Sequence, residues 1–365
     1  MIAVGEVFGM RSFMYNMNAG RVLFGAGTLA SLKSEVERLG LNRVLVLATP
    51  QQEKEALELT RHIGARASGV FAGAQMHTPV EVTTAAMSVV KERGIDGLAA
   101  VGGGSTTGLA KAIALRTDLP QIVVPTTYAG SEMTPILGET EDGKKVTRSD
   151  PKVLPEVVIY DVNLTLTLPV AMSVTSGMNA VAHAVEALYA REANPVISLM
   201  AEEAIGVMAR ALPRIFEKAD DIDARADALY AAWLAGICLG SVGMALHHKL
   251  CHTLGGMFNL PHAETHTAIL PHALAFNSPA IPEAMMRIRR ALESDDPSDA
   301  LFVLPVSLGA EMSLSGLGMP AEGIESVVAA ALSNPYWNPR PLDAASLRAL
   351  LRNARDGAKP VRADI

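Results

Sequence analysis

The chain has 365 residues, 49% of them hydrophobic, with 38 acidic against 31 basic side chains for a formal charge of −7. That apolar content excludes intrinsic disorder, the presence of only two cysteines excludes a disulfide scaffold, and an acidic balance without a dense basic run excludes nucleic acid as the main partner. A chain of this length makes roughly two domains of ~150 residues.

Residues 1–14 carry Glu6 and Arg11 and no continuous apolar core, so they do not read as a secretory signal. No stretch reaches the ~18 uninterrupted apolar residues of a membrane helix. The longest, 229–246, is broken by Gly236, Gly240 and Gly243. A cytoplasmic protein with no membrane partner is expected.

Buried strands are expected at 43–48, 67–71, 97–101 and 121–125, with helices at 51–63, at 78–93 and from Ser105 onward. Strands alternating with helices predict right-handed crossovers and a parallel sheet. From about Pro169 the apolar spacing changes to threes and fours. Helices are expected at 170–190, 195–210, 224–240, 244–254, 282–294, 306–314, 321–332 and 342–354. The expected organisation is an α/β domain over 1–165 and an all-helical domain over 166–365. Cys238 and Cys251 read as packing thiols in a reducing compartment.

The run Val101-Gly102-Gly103-Gly104-Ser105-Thr106-Thr107-Gly108-Leu109-Ala110-Lys111 passes from strand to helix. Glycines let backbone approach an anion, the open N–H groups of the helix start would face it, and Ser105 could cap the helix or donate to a phosphate. A tight strand-to-helix turn also favours glycine, so both readings stand at this point. The spacing is not G-x-G-x-x-G, since Thr107 is sixth from Gly102, and no Walker lysine–Ser/Thr pair follows. Thr126, Thr127 and Ser131, after the next strand, should reach the same carboxyl edge of the sheet, where open α/β sheets bind ligands.

Asn179 and His183 lie one helical turn apart, with Glu186 a turn further, and His248 and His252 repeat the i, i+4 spacing before His262. Six of nine histidines fall within 247–272. Two such pairs on separate helices suit a Zn or Fe cage; a hydrogen-bonded core histidine is the plainer reading of either pair alone. The clustering favours a functional pocket without establishing a metal.

Taken jointly, segments 102–111, 125–132, 145–161, 176–186 and 248–272 resemble the iron-containing alcohol dehydrogenase family, over residues 14–357. The resemblance implies an N-terminal α/β dinucleotide-binding domain with a parallel sheet and an all-helical C-terminal domain, the dehydroquinate synthase-like architecture, assembled as a homodimer. The runs Gly-Gly-Gly-Ser-Thr-Thr-Gly-Leu-Ala-Lys, Pro-Thr-Thr-Tyr-Ala-Gly-Ser-Glu-Met-Thr, Leu-Pro-Glu-Val-Val-Ile-Tyr-Asp and Gly-Met-Asn-Ala-Val-Ala-His-Ala-Val-Glu are similar to the branch that reduces maleylacetate. That branch implies an oxidoreductase of aromatic-compound breakdown, taking a small dicarboxylate to 3-oxoadipate with NADH or NADPH.

By the same resemblance Gly102, Gly103, Gly104, Ser105, Thr126, Thr127, Ser131, Lys145 and Thr49 would hold the cofactor. His252 would be the proton donor, and His183, His248 and His262 would hold substrate oxygens, as imidazolium ions if no metal is bound. The family's metal cage of one Asp and three His maps onto Asn179, His183, His248 and His262. An amide therefore replaces its anionic ligand, as in the maleylacetate branch, whose members are thought able to work without a metal. The alternatives are a metal-dependent (Fe or Zn) alcohol dehydrogenase of the same family and, more distantly, a lyase similar to dehydroquinate synthase. The family's Asp in the glycine-turn helix is Gly108 here. NAD-selective sites place an acid at the end of the second strand; Leu47-Ala48-Thr49-Pro50-Gln51 has none, so use of both NADH and NADPH is expected.

Overall fold

The computed structural model describes residues 13, 15, 20–141 and 144–361, without the side chains of 144 and 145. The N-terminal segment read above as no secretory signal lies outside the described residues, apart from Phe13. Strands β1 (Arg21–Phe24), β2 (Val44–Leu47), β3 (Ala67–Phe71), β4 (Gly97–Gly102) and β5 (Gln121–Pro125) join β8 (Val157–Tyr160) in one parallel sheet, ordered β1-β8-β5-β4-β2-β3. A separate antiparallel hairpin pairs β6 (Ile136–Glu141) with β7 (Lys144–Ser149).

Side chains alternate across the sheet. Val44, Val46, Val101 and Val124 pack with α1 (Leu32–Arg38) and α2 (Glu53–Ile63). Leu45, Leu47, Leu98 and Val123 pack on the opposite face with α3 (Val80–Arg93) and α4 (Gly104–Thr117). Both faces are covered, which is why these strands read as continuous apolar runs.

The rest of the chain is helical: α5 (Val170–Leu188), α6 (Pro195–Glu217), α7 (Ile222–Ser241), α8 (Leu246–Phe258), α9 (His262–Asn277), α10 (Pro282–Leu292), α11 (Pro297–Ser307), α12 (Gly323–Ser333) and α13 (Ala344–Arg355). Every residue of α5 from Ser173 to Leu188 is buried, among α6, α7 and α9. Its Ala, Gly and Ser positions let those helices approach. Among the described residues no single helix is long and apolar enough to cross a membrane. The α7–α8 pair reaches that length together but bends by 94°.

Three features depart from the sequence reading. Helix α9, where the sequence reading places no helix, runs through Pro271, whose ring costs one backbone hydrogen bond. Burial of all residues from Thr265 to Asn277 outweighs that loss. The helix expected at 306–314 is instead α11, started by Pro297 and by the Asp296 side chain accepting from Asp299 N. Strands β1, β6, β7 and β8 went unpredicted because they are short or polar, with no apolar alternation to read.

Candidate active site

A cavity of about 650 Å³ opens where the carboxyl ends of β4 and β5 meet α5, α8 and α9. Thr126 N donates to Gly102 O, which brings the glycine turn and the 126–131 loop side by side as expected. Gly102 has φ 145°, and a Cβ on it would stand 2.5 Å from Thr106 Oγ1. Only glycine fits there. Ser105 does not cap α4: the cap position is Gly103, with no side-chain bond, which leaves the first N–H groups of the helix open to an anion.

Gly104, Ser105, Thr127 and Ser131 line the cavity, and the buried Ser131 hydroxyl has no protein partner. Gly102, Gly103, Thr126 and Thr49 stand behind that wall rather than in it. Thr49 Oγ1 donates to Gln52 Oε1 at 3.2 Å, and Gln52 Nε2 donates to Thr126 Oγ1 at 2.9 Å, a tie across the ends of β2 and β5. The backbone of Lys145 pairs with Thr140 in the hairpin; its side chain lies outside the described residues. Gly108 has a packing reason: a Cβ there would come within 2.3 Å of Thr78 Oγ1. Thr78 and His77 both take left-handed φ (48° and 64°).

Lys111 was visible only as part of the glycine motif, yet it reaches the cavity fully buried. Its Nζ donates to the carbonyls of Ser131 (2.6 Å), Thr134 (2.7 Å) and Ile136 (2.9 Å) and to Thr134 Oγ1 (2.9 Å). Burial lowers its pKa to about 7, against the opposing attraction of Glu132. This carbonyl cage anchors the 131–136 segment to α4.

Asn179, His183, His248, His252 and His262 all line the cavity. The buried carboxylate of Glu186 organises them. It accepts from His248 Nδ1 (2.7 Å) and from the backbone N–H of Ala245 and His247 (2.8 Å each). His248 Nε2 meets His183 Nδ1 at 2.8 Å, and His183 Nε2 faces the Ala129 carbonyl at 3.3 Å. A carboxylate at one end and a carbonyl at the other both only accept. Two neutral rings thus cannot satisfy all three contacts; one added proton would.

Burial, then the neighbouring His248 and His262, holds His183 well below the usual histidine range. The expectation of an imidazolium at His183 at neutral pH is therefore corrected: without an anion in the cavity the ring is neutral. His252 Nδ1 pairs with Tyr336 OH at 3.2 Å. Nothing local marked Tyr336, which lies 84 residues away in a loop.

The donors at the four family positions match a metal cage poorly: Asn179 offers a neutral oxygen, buried without a partner, in place of an anionic ligand. Among the described residues, the three donors whose ligand atoms converge within 4.8 Å are His247, Cys251 and His266, not His183, His248 and His262. As arranged, the residues at the four family positions do not form a cage.

Comparison with known proteins agrees with this architecture. The family described as iron-containing alcohol dehydrogenase matches residues 19–162, and the C-terminal region of the Fe-containing alcohol dehydrogenase family matches residues 173–355. A maleylacetate reductase of Sphingobium indicum is 55% identical over 96% of this chain and 99% of its own. One from Burkholderia cepacia is 53% identical over 96% and 100%. The crystal structure of maleylacetate reductase from Agrobacterium tumefaciens superposes with a TM-score of 0.92 at 52% identity, covering 96% of this chain and 100% of that one. On these matches, the chain belongs to the iron-containing alcohol dehydrogenase family.

Proposed function

We propose that this chain reduces the carbon–carbon double bond of maleylacetate to give 3-oxoadipate, with NADH or NADPH as reductant. The observation that carries the reading is the single cavity in which the open N-terminus of α4, with Ser105 and Thr127, faces the His252–Tyr336 pair. Relatives named maleylacetate reductase, 50–55% identical over 96% of the chain, support it.

The open start of α4 with Ser105, Thr127 and Ser131 would hold a nicotinamide cofactor, which would supply hydride. The C2=C3 bond of the substrate is conjugated with its ketone, so a pair delivered to C2 leaves negative charge on the ketone oxygen, and the enolate takes a proton at C3. His252, oriented by Tyr336, gives that proton. Asn179 turns amide N–H donors to the ketone oxygen. The dianionic substrate draws one proton onto the Glu186–His248–His183 chain, which completes its hydrogen bonds and sets positive charge beside a carboxylate. No step requires the ion that the donor geometry disfavours.

The test is NADH oxidation by maleylacetate with protein exhaustively treated with chelator and assayed for residual metal. Turnover by metal-free protein is expected. Turnover only after Zn or Fe is restored would overturn the metal-free part. Reaction with simple alcohols or aldehydes and none with maleylacetate would overturn the substrate.

A further inference from the structure

We propose that His247, Cys251 and His266 form a separate soft-metal site behind the reaction cavity, suited to a divalent ion of the zinc class. Helix α8 sets His247 and Cys251 four residues apart on one face, and α9 brings His266 against them. All three are buried, and their ligand atoms lie within 4.8 Å of one another. Thiolate and imidazole together favour zinc-like ions over hard cations.

The spacing is close to a coordination edge. Tetrahedral bonds of ~2.0 Å to nitrogen and ~2.3 Å to sulfur put neighbouring ligands about 3.3 Å (N to N) and 3.5 Å (N to S) apart. His247 Nε2 stands 2.9 Å from His266 Nδ1 and 3.8 Å from Cys251 Sγ. On these two edges, side-chain shifts of a few tenths of an ångström would reach the coordination spacing.

A second observation is that hydrogen bonding does not account for this pair. His247 Nδ1 and His266 Nε2 are buried without a partner, so each fully buried ring is satisfied on one nitrogen only. Such groups are costly in a core. Those outer nitrogens also make the proton balance work. On binding, Cys251 releases its thiol proton, and the hydrogen between the two rings moves to the outer nitrogen of the ring that carried it. The ion would then tie α8 to α9, the helices that carry His248, His252 and His262, and three protein donors leave a fourth position open.

Cadmium is the probe, because a thiolate–cadmium bond gives an ultraviolet charge-transfer band that nitrogen and oxygen donors do not. An ion lodged at His183, His248 or His262 would therefore be silent, and the outcome is independent of the reaction proposed above. Cys238, the other thiol, is pushed up to about 12 by burial and offers no ready thiolate. Titration of metal-stripped, full-length protein should raise the band to a plateau at one ion per chain. Cys251→Ser should abolish it and Cys238→Ser should keep it. The ion should also raise the unfolding temperature of the wild type and leave that of Cys251→Ser unchanged. No band, a band undiminished in Cys251→Ser, or a band lost in Cys238→Ser overturns the site. Should Cys251→Ser fail to fold, the Cys238→Ser titration decides alone.

Discussion

The Glu186 carboxylate has no solvent exposure and meets four donors, His248 Nδ1, the N–H groups of Ala245 and His247, and the Tyr189 hydroxyl. Glu186→Gln would turn an NH2 toward that set, so at least one buried donor loses its acceptor, at about 1–3 kcal/mol. Urea unfolding should show that loss. Because Glu186 also fixes which nitrogen of His248 carries the hydrogen, kcat should fall on the order of 10-fold or more, as for lost partners of working histidines. Cofactor choice is decided by single residues too. At the end of β2, Thr49 and Gln52 are engaged with each other and with Thr126, and no carboxylate stands there to repel a 2′-phosphate. The kcat/KM values for NADH and NADPH should therefore lie within about a thousandfold, or ~4 kcal/mol, of each other. A larger ratio in steady-state assays would mean that another residue reads the ribose.

The 126–131 loop is held at element scale by close backbone contact with α7. A Cβ on Gly236 would come 2.5 Å from Gly130 O and 3.1 Å from Gly130 Cα, whereas one on Gly256 in α8 would meet nothing within 4 Å. Alanine gains ~1 kcal/mol of helix propensity at either site. Gly256→Ala should show that gain in urea unfolding. Gly236→Ala should instead lose about 1–3 kcal/mol to the clash and raise the KM for NADH, because the loop carrying Thr127 and Ser131 must move. This contrast also shows what a sequence can reveal. Three of the inner strands, β2, β4 and β5, were legible because burial on both faces makes them apolar throughout, and the histidine spacing was legible because one helix carries each pair. Pairings across elements were not: the Lys111 cage, the Tyr336 partner of His252 and the Gly236 contact depend on residues far apart in the chain. Likewise, α9 continues through Pro271 only because its surroundings bury it.

For the whole molecule, buried imidazoles make stability depend on pH. Desolvation first, and neighbouring rings second, hold His183, His247 and His266 well below the usual range, and desolvation lowers His272 to about 4. In the unfolded chain each returns to an ordinary value near 6.5. Above that value neither state is protonated at these sites, and they contribute no pH dependence. As pH falls below it, the unfolded state takes up protons that the folded state refuses, so stability is lost from about 6.5 downward to the folded pKa values. Four such histidines give a slope near 4 × 1.4, or ~5 kcal/mol per pH unit, around pH 5.5. Against a total stability of about 5–15 kcal/mol, a slope of that order makes the fold acid-labile below the unfolded value. Urea midpoints at pH 7.5, 6.5 and 5.5 measure it. His272 isolates the cause, since it lies outside the reaction cavity and its Nε2 is buried without a partner. His272→Gln should leave the value at pH 7.5 nearly unchanged and remove about a quarter of the slope below 6.5. An unaltered slope in that variant would mean that His272 protonates as readily in the folded chain as in the unfolded one, and that the acid sensitivity comes from His183, His247 and His266.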